Sequence, residues 1–466
     1  MIANKVKVDS VATFDIFKLK GYQEVGNHGF VEVFGYVDEN IEKVFNIETI
    51  QGNNTEVISL VDEEGTRTKW FDGVIKNYKI YTENERKILK LTLATGTFLM
   101  DSSYHFRSFQ SESISYEDIF SIIHKGYAEG GTIINANGKN KIDSMIMQYM
   151  ETDFEFAKRL ASHFNLAIVP DARFSYPTYY VGFPKQGIKA TIQSSTYTTK
   201  KDIDSYINKI GKGLADISEN DLIVYEYISR DVLMLGDLVE FNGKQVYVSK
   251  IESELLSAEL IHKYTFISSR GAQVPMIYNN NLIGLSLSGN ITSVNRTEVM
   301  IRIDDDENMQ NTGVRLYPYA TPYSTDDGTG WYFMPEIEDK IALHFPTEKE
   351  GDVYVANSVH IGAHGGRSNS SNKSLKNKQH KEVLFTPTSI KVTNNAGMSV
   401  ELDDNKGIEI ISNKAINIKS SSNIEIKSNT DKVSITAPNE IIFKQGNTEM
   451  DLKEKLSFKG AQIRLD

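Results

Sequence analysis

Five consecutive polar residues, Asp304-Asp305-Asp306-Glu307-Asn308, form a cluster of side chains that could bind a metal ion. Carboxylates at this density suit calcium, but a calcium-binding loop alternates its ligands with spacer residues and has a central glycine. The cluster has neither feature. We therefore interpret it as a solvated turn at a strand end and predict no metal site.

Other residues that could do chemistry lack the partners that a mechanism would need. No Gly-x-Ser-x-Gly, His-Glu-x-x-His or phosphate-loop motif occurs in the sequence. The glycine-rich stretch 362–366 precedes a linker and not a helix, which argues against dinucleotide binding. His163 is predicted to be a packing or capping histidine of a helix. The sequence thus predicts no catalytic residue, no cofactor and no enzymatic activity.

Composition narrows the class of protein. The chain has 466 residues, a formal net charge of −11, 40% hydrophobic residues and no cysteine. This charge argues against general affinity for nucleic acid or anionic membranes, and without cysteine the fold cannot depend on disulfides or thiolate metal sites. No apolar run reaches membrane-spanning length. The N-terminal sequence also lacks the pattern of a signal peptide, so we expect export, if any, by another route.

The elements that would position any site are predominantly β, and the region from about residue 390 to 466 has a short repeat. Apolar-x-apolar triplets recur every six to nine residues with turn residues between them. Both apolar members of a triplet point to the same side of a strand. These candidate core residues are Ile408, Ile410, Ile416, Ile418, Ile424, Ile426, Val433, Ile435, Ile441, Phe443, Met450, Leu452, Leu456, Phe458, Ile463 and Leu465.

A repeat this short cannot bury its apolar side within one strand, so stacking must bury it. Eight residues supply one side of a triangle, which favours three chains wound into a triple-stranded β-helix over a single-chain solenoid. A meander of short antiparallel strands in an ordinary sandwich is the remaining alternative. A homotrimer is therefore predicted. Carboxylates of the repeat, such as Glu409 and Glu425, are interpreted as solvated and not as the pair that a polysaccharide-cleaving enzyme needs.

The rest of the chain alternates between strand and helix patterns. Apolar positions on the predicted helix at 153–161 are interpreted as core and not as a docking surface. The fold class is mainly β, with two β-barrels, a small helical insert and an OB-like barrel before the β-helix. The predicted domains are a first barrel at 1–105, a helical insert at 106–166, a second barrel at 167–270, an OB-fold domain at 283–361, a linker at 362–388 and the β-helix at 389–466.

Several stretches resemble VgrG proteins and phage late-control hub proteins. Gln148 to Val169 is similar to the family's QY-x-E-S/T-D-x-x-F-x-x-R-L segment, and Phe106 to Ser113 to its R-x-F-Q stretch. Trp331 to Phe345 resembles the MPE-x-GDEV-x-V-x-F signature of the OB domain. Gly351 to His360 is similar to the strand that follows, and Gly397 to Ile410 to the entry into the spike. The matches occur in the family's order.

Two positions depart from the family pattern. Glu338 stands where the OB signature has glycine, so the turn there is expected to be rebuilt. Ala356-Asn357 replaces the usual Val/Ile-Gly, which weakens the match of that strand.

The resemblance implies the central hub and membrane-puncturing spike of a contractile injection machine. Such machines include phage tails, type VI secretion systems, R-type bacteriocins and extracellular injection systems. In the family, the two barrels of three chains form a pseudo-six-fold ring that matches a six-fold inner tube, the OB domain is a collar, and the β-helix is a needle. A trimeric tail fibre or tailspike adhesin that binds surface glycan is the alternative.

The same resemblance implies the partners: an inner tube protein, baseplate wedge proteins, a separate conical PAAR-like tip protein and effector cargo, with only transient contact with the target membrane. The tip contact is expected at Ile463, Arg464 and Leu465. No histidine follows His380, so a tip without bound iron is expected. No cell-wall hydrolase or terminal effector domain is expected either. Assembly in the bacterial cytoplasm and delivery outside on contraction follow from the resemblance.

Overall fold

The computed structural model describes residues 5–452, apart from residues 12, 40, 42–54, 258 and 359–368. The chain divides into two compact units, Met1–Ile361 and Gly362–Asp466. Both are built mainly from β-strands, as predicted. In the described part of the chain, no helix combines the length and the apolar character that crossing a bilayer requires.

The first unit begins with six antiparallel strands, and their inward side chains alternate with exposed ones as expected for a sheet with one buried face. The largest buried residues of this region are Trp70 and Phe71. The strands are β1 (Lys5–Val8), β2 (Asp15–Glu24), β3 (Phe30–Val37), β4 (Thr55–Val61), β5 (Arg67–Glu83) and β6 (Arg86–Thr95).

Two short helices follow in the predicted helical insert, and each begins at a capping box. Ser115 caps α1 and Thr152 caps α2, and in both the third helical residue is an acid that bonds back to the cap. The apolar side of α2 is buried, which confirms its interpretation as core. The elements are a 3₁₀ turn (Gly96–Asp101), β7 (Tyr104–Phe109), α1 (Tyr116–His124), β8 (Gly131–Ile134), β9 (Ile146–Thr152) and α2 (Asp153–Ser162).

Strands return after α2, and most of them join the strands of the first region in a single sheet. The order across this twelve-stranded sheet is β1-β4-β5-β6-β3-β2-β16-β17-β14-β13; in addition, β15 pairs with β16, and β12 pairs with β15. The two regions predicted as separate barrels thus share one hydrogen-bonded sheet, joined where β2 pairs with β16. The elements are β10 (Ile168–Pro170), β11 (Thr178–Val181), β12 (Ala190–Ile192), β13 (Thr198–Lys201), α3 (Ile203–Gly211), β14 (Ile223–Ser229), β15 (Leu238–Phe241), β16 (Lys244–Leu256) and β17 (Glu259–Ile267).

A five-stranded antiparallel sheet completes the first unit, in the order β20-β19-β18-β21-β22. A parallel bridge between Tyr319 and Val355 connects its first and last strands, so the sheet closes on itself. This topology occupies the region predicted as an OB fold, an assignment that remains a prediction; we call it the collar. Its strands are β18 (Ser286–Asn295), β19 (Glu298–Ile303), β20 (Tyr317–Pro318), β21 (Lys340–His344) and β22 (Tyr354–Ser358).

The turn at Glu338 keeps the backbone conformation that glycine usually provides. Glu338 has φ of +71°, in the left-handed region, although it carries a Cβ atom. The expectation of a rebuilt turn was therefore wrong. Asp339 stabilises the turn, because its carboxylate accepts a hydrogen bond from the Glu336 amide at 2.8 Å, at a conformational cost of roughly 1–2 kcal/mol for the non-glycine residue.

The second unit contains a five-stranded antiparallel meander and a hairpin. Between them, residues 413–440 form no strand or helix in the described structure. The meander consists of β23 (Lys373–Lys376), β24 (Glu382–Phe385), β25 (Ser389–Thr393), β26 (Met398–Asp403) and β27 (Gly407–Ser412), and the hairpin of β28 (Ile441–Gln445) and β29 (Thr448–Leu452).

Candidate assembly surfaces and the hub–collar junction

The acidic cluster at residues 304–308 is not a solvated turn throughout. Asp306 and Asn308 are buried, and both bond to Ser108 of β7. The Ser108 amide donates to Asp306 Oδ1 at 3.1 Å, and Asn308 Nδ2 donates to the Ser108 carbonyl at 2.8 Å. Thr312 adds a hydroxyl contact of 2.6 Å to Ser108 Oγ. The buried carboxylate of Asp306 needs such hydrogen-bond partners, because burying it unpaired would cost folding free energy.

The solvated interpretation was therefore wrong for Asp306 and Asn308, while Asp305 and Glu307 are exposed. The physical reason is that the segment between β19 and β20 folds onto β7, about two hundred residues away in sequence. No group of three or more metal-ligating side chains occurs among the residues that the structure describes.

A second junction between α2 and the collar is formed by a buried arginine. Arg159 is 1% exposed and donates to both oxygens of Glu151 at 2.8 Å. It also donates to Glu350 of the collar and to the Met147 carbonyl, both at 2.7 Å. Burial disfavours its charge, but the two carboxylates outweigh that effect and hold the pKa of Arg159 above its ordinary value. We call Arg159, Glu151 and Glu350 the ion triad.

The sequence contains one signal for this triad, namely the position of Arg159 on the predicted helix. Arg159 follows Phe156 by three positions and precedes Leu160, so helical spacing already placed it on the apolar side of α2. An arginine at such a position requires a buried carboxylate partner. The identity of that partner, Glu350, could not be inferred because it lies 191 residues away.

The prediction of a packing or capping histidine is confirmed for His163. It is the C-cap of α2, and its Nδ1 lies 2.9 Å from the Tyr116 hydroxyl. Burial, together with the charge of Arg159, lowers the pKa of His163 to about 4. Burial also lowers the pKa of His262 on β17 to about 4, where Nδ1 lies 2.7 Å from Ser253 Oγ.

We expect these two histidines to make the first unit less stable as the pH falls. Each imidazole has a pKa of about 4 when folded and an ordinary value of 6.5. Between these values the unfolded chain binds protons that the folded chain does not, so stability rises with pH and is lost below about 6.5. The loss at pH 5 should be about 2 kcal/mol per histidine.

Urea unfolding at pH 7.5 and pH 5.0 measures this effect. His163→Gln and His262→Gln should each reduce the difference in unfolding free energy between the two pH values. His380→Gln, at an exposed histidine, is the control and should leave it unchanged. An unaltered difference in the first two variants would contradict the assignment.

The meander of the second unit has an apolar face that the described chain leaves uncovered. Cross-strand pairing aligns eight apolar residues in two rows across β24 to β27. Seven of them are exposed, and Ile408 reaches 73%. One row is Phe385, Ile390, Leu402 and Ile408, and the other is Val383, Val392, Val400 and Ile410.

Ile408 and Ile410 therefore pair within the chain, a feature that the eight-residue period did not predict. Up to Ser412 the strand order is that of a meander, the alternative considered for this region, although this sheet lacks the second layer of a sandwich among the described residues.

Between Ser412 and Ile441 the apolar triplets have no strand partner in the described structure. All six of their large side chains are more than half exposed, with Ile418 at 72% and Ile426 at 70%. The residues are Ile416, Ile418, Ile424, Ile426, Val433 and Ile435. Continuous apolar exposure on this scale marks an interaction surface.

The twelve-stranded sheet contains the same five-strand arrangement twice. In the first repeat, β2 to β6, the strands pair as β4-β5-β6-β3-β2; in the second, β13 to β17, they pair as β15-β16-β17-β14-β13. The hairpins end in equivalent pairs, Glu83↔Arg86 and Leu256↔Glu259. An ion pair recurs too, because Lys90–Glu32 and Lys263–Glu226 occupy equivalent positions, with N–O distances of 2.7 and 3.4 Å.

Bulges strengthen this equivalence. The fourth strand of each repeat has a register shift at the same distance from its hairpin end, between Ile75 and Asn77 in β5 and between Val248 and Lys250 in β16. The repeats meet where the first strand of one, β2, pairs with the fourth strand of the other, β16.

Solved structures are similar to this chain in fold. The E. coli c3393 protein, described as a component of the type VI secretion system with structural similarity to the T4 bacteriophage tail proteins gp27 and gp5, aligns with a TM-score of 0.54 at 13% identity. The alignment covers 76% of this chain and 100% of that one. The chain has the fold of VgrG-like tail-hub proteins.

Two VgrG complexes extend the VgrG-like alignment further along the chain. The lidless PdpA–VgrG complex matches with a TM-score of 0.53 at 11% identity over 88% of this chain and 98% of that one. The half-lidded Francisella PdpA–VgrG complex matches with a TM-score of 0.51 at 12% identity over 88% and 87%. No protein-family model and no curated protein matches the sequence.

In this VgrG-like chain, the remaining predicted spike residues are only partly described. Ile441 pairs with Leu452 and Phe443 with Met450 across the β28–β29 hairpin. Leu456, Phe458, Ile463, Arg464 and Leu465 lie outside the described residues, so their assignment to the core or tip contact remains a prediction.

Proposed function

We propose that three copies of this chain form the hub and spike of a contractile injection machine, with a mechanical and not an enzymatic role. The observation that carries the proposal is the exposed apolar surface of the second unit, which comprises the face of the meander and the triplets within residues 413–440. Two further copies of the same chain would cover it, because each copy presents the same rows.

The free energy of burying apolar side chains favours two further copies of this chain as the molecules that cover the face. Burying a side chain of the size of Ile418 contributes about 1.5–3 kcal/mol, and each copy offers more than a dozen such side chains in the described residues. Three strands arranged as a triangle bury one apolar side each and leave residues such as Glu425 and Lys427 in solvent. A rod of this kind resists bending, because bending would break interchain contacts and backbone ladders together.

The repeat in the first unit suits the hub role. Three chains with two repeats each present six equivalent five-strand arrangements, the number that a six-fold inner tube requires, while the spike has three. The hub would thus adapt the tube to the needle. An inner tube protein, baseplate wedge proteins, a conical tip protein and effector cargo are the partners of this role, with assembly in the bacterial cytoplasm and release on contraction.

Light scattering of the purified full chain tests the proposal. The expected mass is three times that of one chain at micromolar concentration. A single chain in solution whose residues 373–452 are nonetheless protected from proteolysis would overturn it.

The repeat also predicts how neighbouring copies meet in the hub. Among the described residues, β13 pairs only with β14, and the half of β5 beyond Val74 pairs only with β6. These are the counterparts of β2 and β16, which pair with each other within the chain. Transferring the register of Gly21↔Ser253 places Thr199 of one copy opposite Ile80 of the next.

Cysteine cross-linking measures this register, because the natural chain has no cysteine. A chain carrying Thr199→Cys and Ile80→Cys should form interchain disulfides on mild oxidation and run as a covalent trimer on a non-reducing gel. Thr199→Cys with Thr82→Cys is the matched control; the shift of two residues exceeds disulfide reach, so at most a tenth of the yield is expected. Equal yields from the two pairs would refute the register.

A further inference from the structure

Helix α3 presents an apolar side that the described chain does not cover. Ile203, Ile207 and Ile210 follow one another at four and three positions, which places them on one side of the helix. All three are exposed, Ile207 at 61%. The opposite side is held in place, because Lys209 Nζ donates to the Gly271 carbonyl at 2.6 Å.

The place of α3 in the repeat identifies what lies beside it. The helix connects β13 to β14, whereas the first repeat connects β2 to β3 by the turn after Glu24. That turn contacts the other repeat within the chain, because the Val25 amide donates to the Ser249 carbonyl of β16 at 3.0 Å. The next amide, of Gly26, donates to the Ile168 carbonyl of β10, outside the repeat, at 2.7 Å. Because α3 is the counterpart of this turn, it would contact the first repeat of a second copy.

The corresponding surface on the first repeat is apolar with one positive charge. Lys76 lies in the bulge of β5, the counterpart of Ser249 in β16. Its ammonium group lies 4.7 Å from the ring centroid of Phe30 and 5.1 Å from that of Phe98. Leu99, next to Phe98, is exposed. This surface thus offers apolar area beside a cation.

The charges of α3 complement that surface. Asp202 caps the helix and Asp204 lies in its first turn. The register transferred from Gly21↔Ser253 places Asp202 of one copy opposite Asn77 of the next. The acidic first turn of α3 would therefore reach the position of Lys76. The apolar pair Ile203 and Ile207 follows directly.

We infer that the N-terminal half of α3 docks onto the Lys76, Phe98 and Leu99 surface of a second copy of this chain, with Ile203 and Ile207 on the aromatic and leucine side chains and Asp204 beside Lys76. The inference rests on the proposed hub ring. The docking would give each of the three β13–β5 junctions between copies a contact that the three β2–β16 junctions within chains lack. Each copy would therefore join the next only by pairing its β13 with the β5 of that copy. The closed ring would alternate between junctions within chains and junctions between copies.

A pair of cysteine variants tests the docking in the full chain. Ile203→Cys with Leu99→Cys should give interchain disulfides on oxidation, with a yield at least ten times that of Lys212→Cys with Leu99→Cys, whose first cysteine follows the far end of the helix. If Thr199→Cys with Ile80→Cys cross-links and Ile203→Cys with Leu99→Cys does not, the docking is wrong and the ring stands. If neither pair cross-links, the ring is wrong and the docking falls with it.

Charge reversal provides an independent readout. In the background of Thr199→Cys and Ile80→Cys, Asp204→Lys alone and Lys76→Asp alone should each lower the initial rate of cross-linking at least threefold. The two substitutions together should restore it to within twofold of the parent, because they exchange the charges. Additive losses in the combined variant would overturn the contact between Asp204 and Lys76.

Discussion

Replacing Ile418 and Ile426 with aspartate is expected to prevent the full chain from forming the proposed trimer, which should resist SDS in the parent chain. Both side chains are exposed in a single chain, at 72% and 70%, and the proposed spike buries them against two other copies. Each substitution removes about 1.5–3 kcal/mol of burial and places a carboxylate in an apolar interior, at a further cost of several kcal/mol. Six such changes per trimer exceed what the remaining triplets can offset.

An unheated denaturing gel and limited trypsin digestion measure this loss. The parent chain should migrate as a trimer and resist cleavage after Lys419 and Lys427, and the double variant should migrate as single chains that are cut there. Lys419→Asp with Lys427→Asp is the control for the gel, since these residues flank the same triplets on the solvent side. A resistant trimer formed by the double isoleucine variant would refute the buried role of these residues.

Removing the charge of Arg159 is expected to cost the first unit about 3–5 kcal/mol of unfolding free energy. Arg159→Met keeps most of the volume but leaves Glu151 and Glu350 buried without their counter-charge. Removing one partner of a buried ion pair has an effect of this size because the other charge stays desolvated. Burial already raises the pKa of Glu151 despite the arginine, so the Glu151 carboxyl group should bind a proton more readily in the variant.

Urea unfolding of the parent chain and Arg159→Met measures the cost. Arg173→Met is the matched control, since Arg173 pairs with Asp171 but its side chain is 47% exposed; a loss below about 1 kcal/mol is expected there. The interpretation fails if the two variants lose similar stability. In the proposed injection machine, α2 and the collar, joined by these buried charges, would move as one body under axial force.

Local patterns in the sequence were sufficient for several elements. The capping boxes at Ser115 and Thr152 are local signals for where α1 and α2 begin, because a cap and its acid lie within one helical turn. The spacing of apolar residues likewise identified the buried side of α2 and the one-sided triplets of the second unit.

Contacts between distant segments were decided by the tertiary structure. Asp306 looked solvated in sequence because its neighbours are acidic, yet it is buried against Ser108 across 198 residues. Ile408 and Ile410 have the same triplet form as Ile416 and Ile418, but only the first two pair with a preceding strand. No local sequence period distinguishes a paired triplet from an unpaired one, or a buried acid from a solvated one. The hydrogen-bond partners depend on which distant segments the folded chain brings together.

The sequence by itself determined that this protein is mainly β, that its helices begin at defined caps, and that its last region must bury one apolar side against something else. Only the tertiary structure decided that two predicted barrels share one sheet of two equivalent repeats, and that a buried arginine and a buried aspartate join α2 and β7 to the collar. The physical reason is range: alternation and capping act over two to four residues, whereas sheet order and charge burial depend on segments that meet only after the chain has folded.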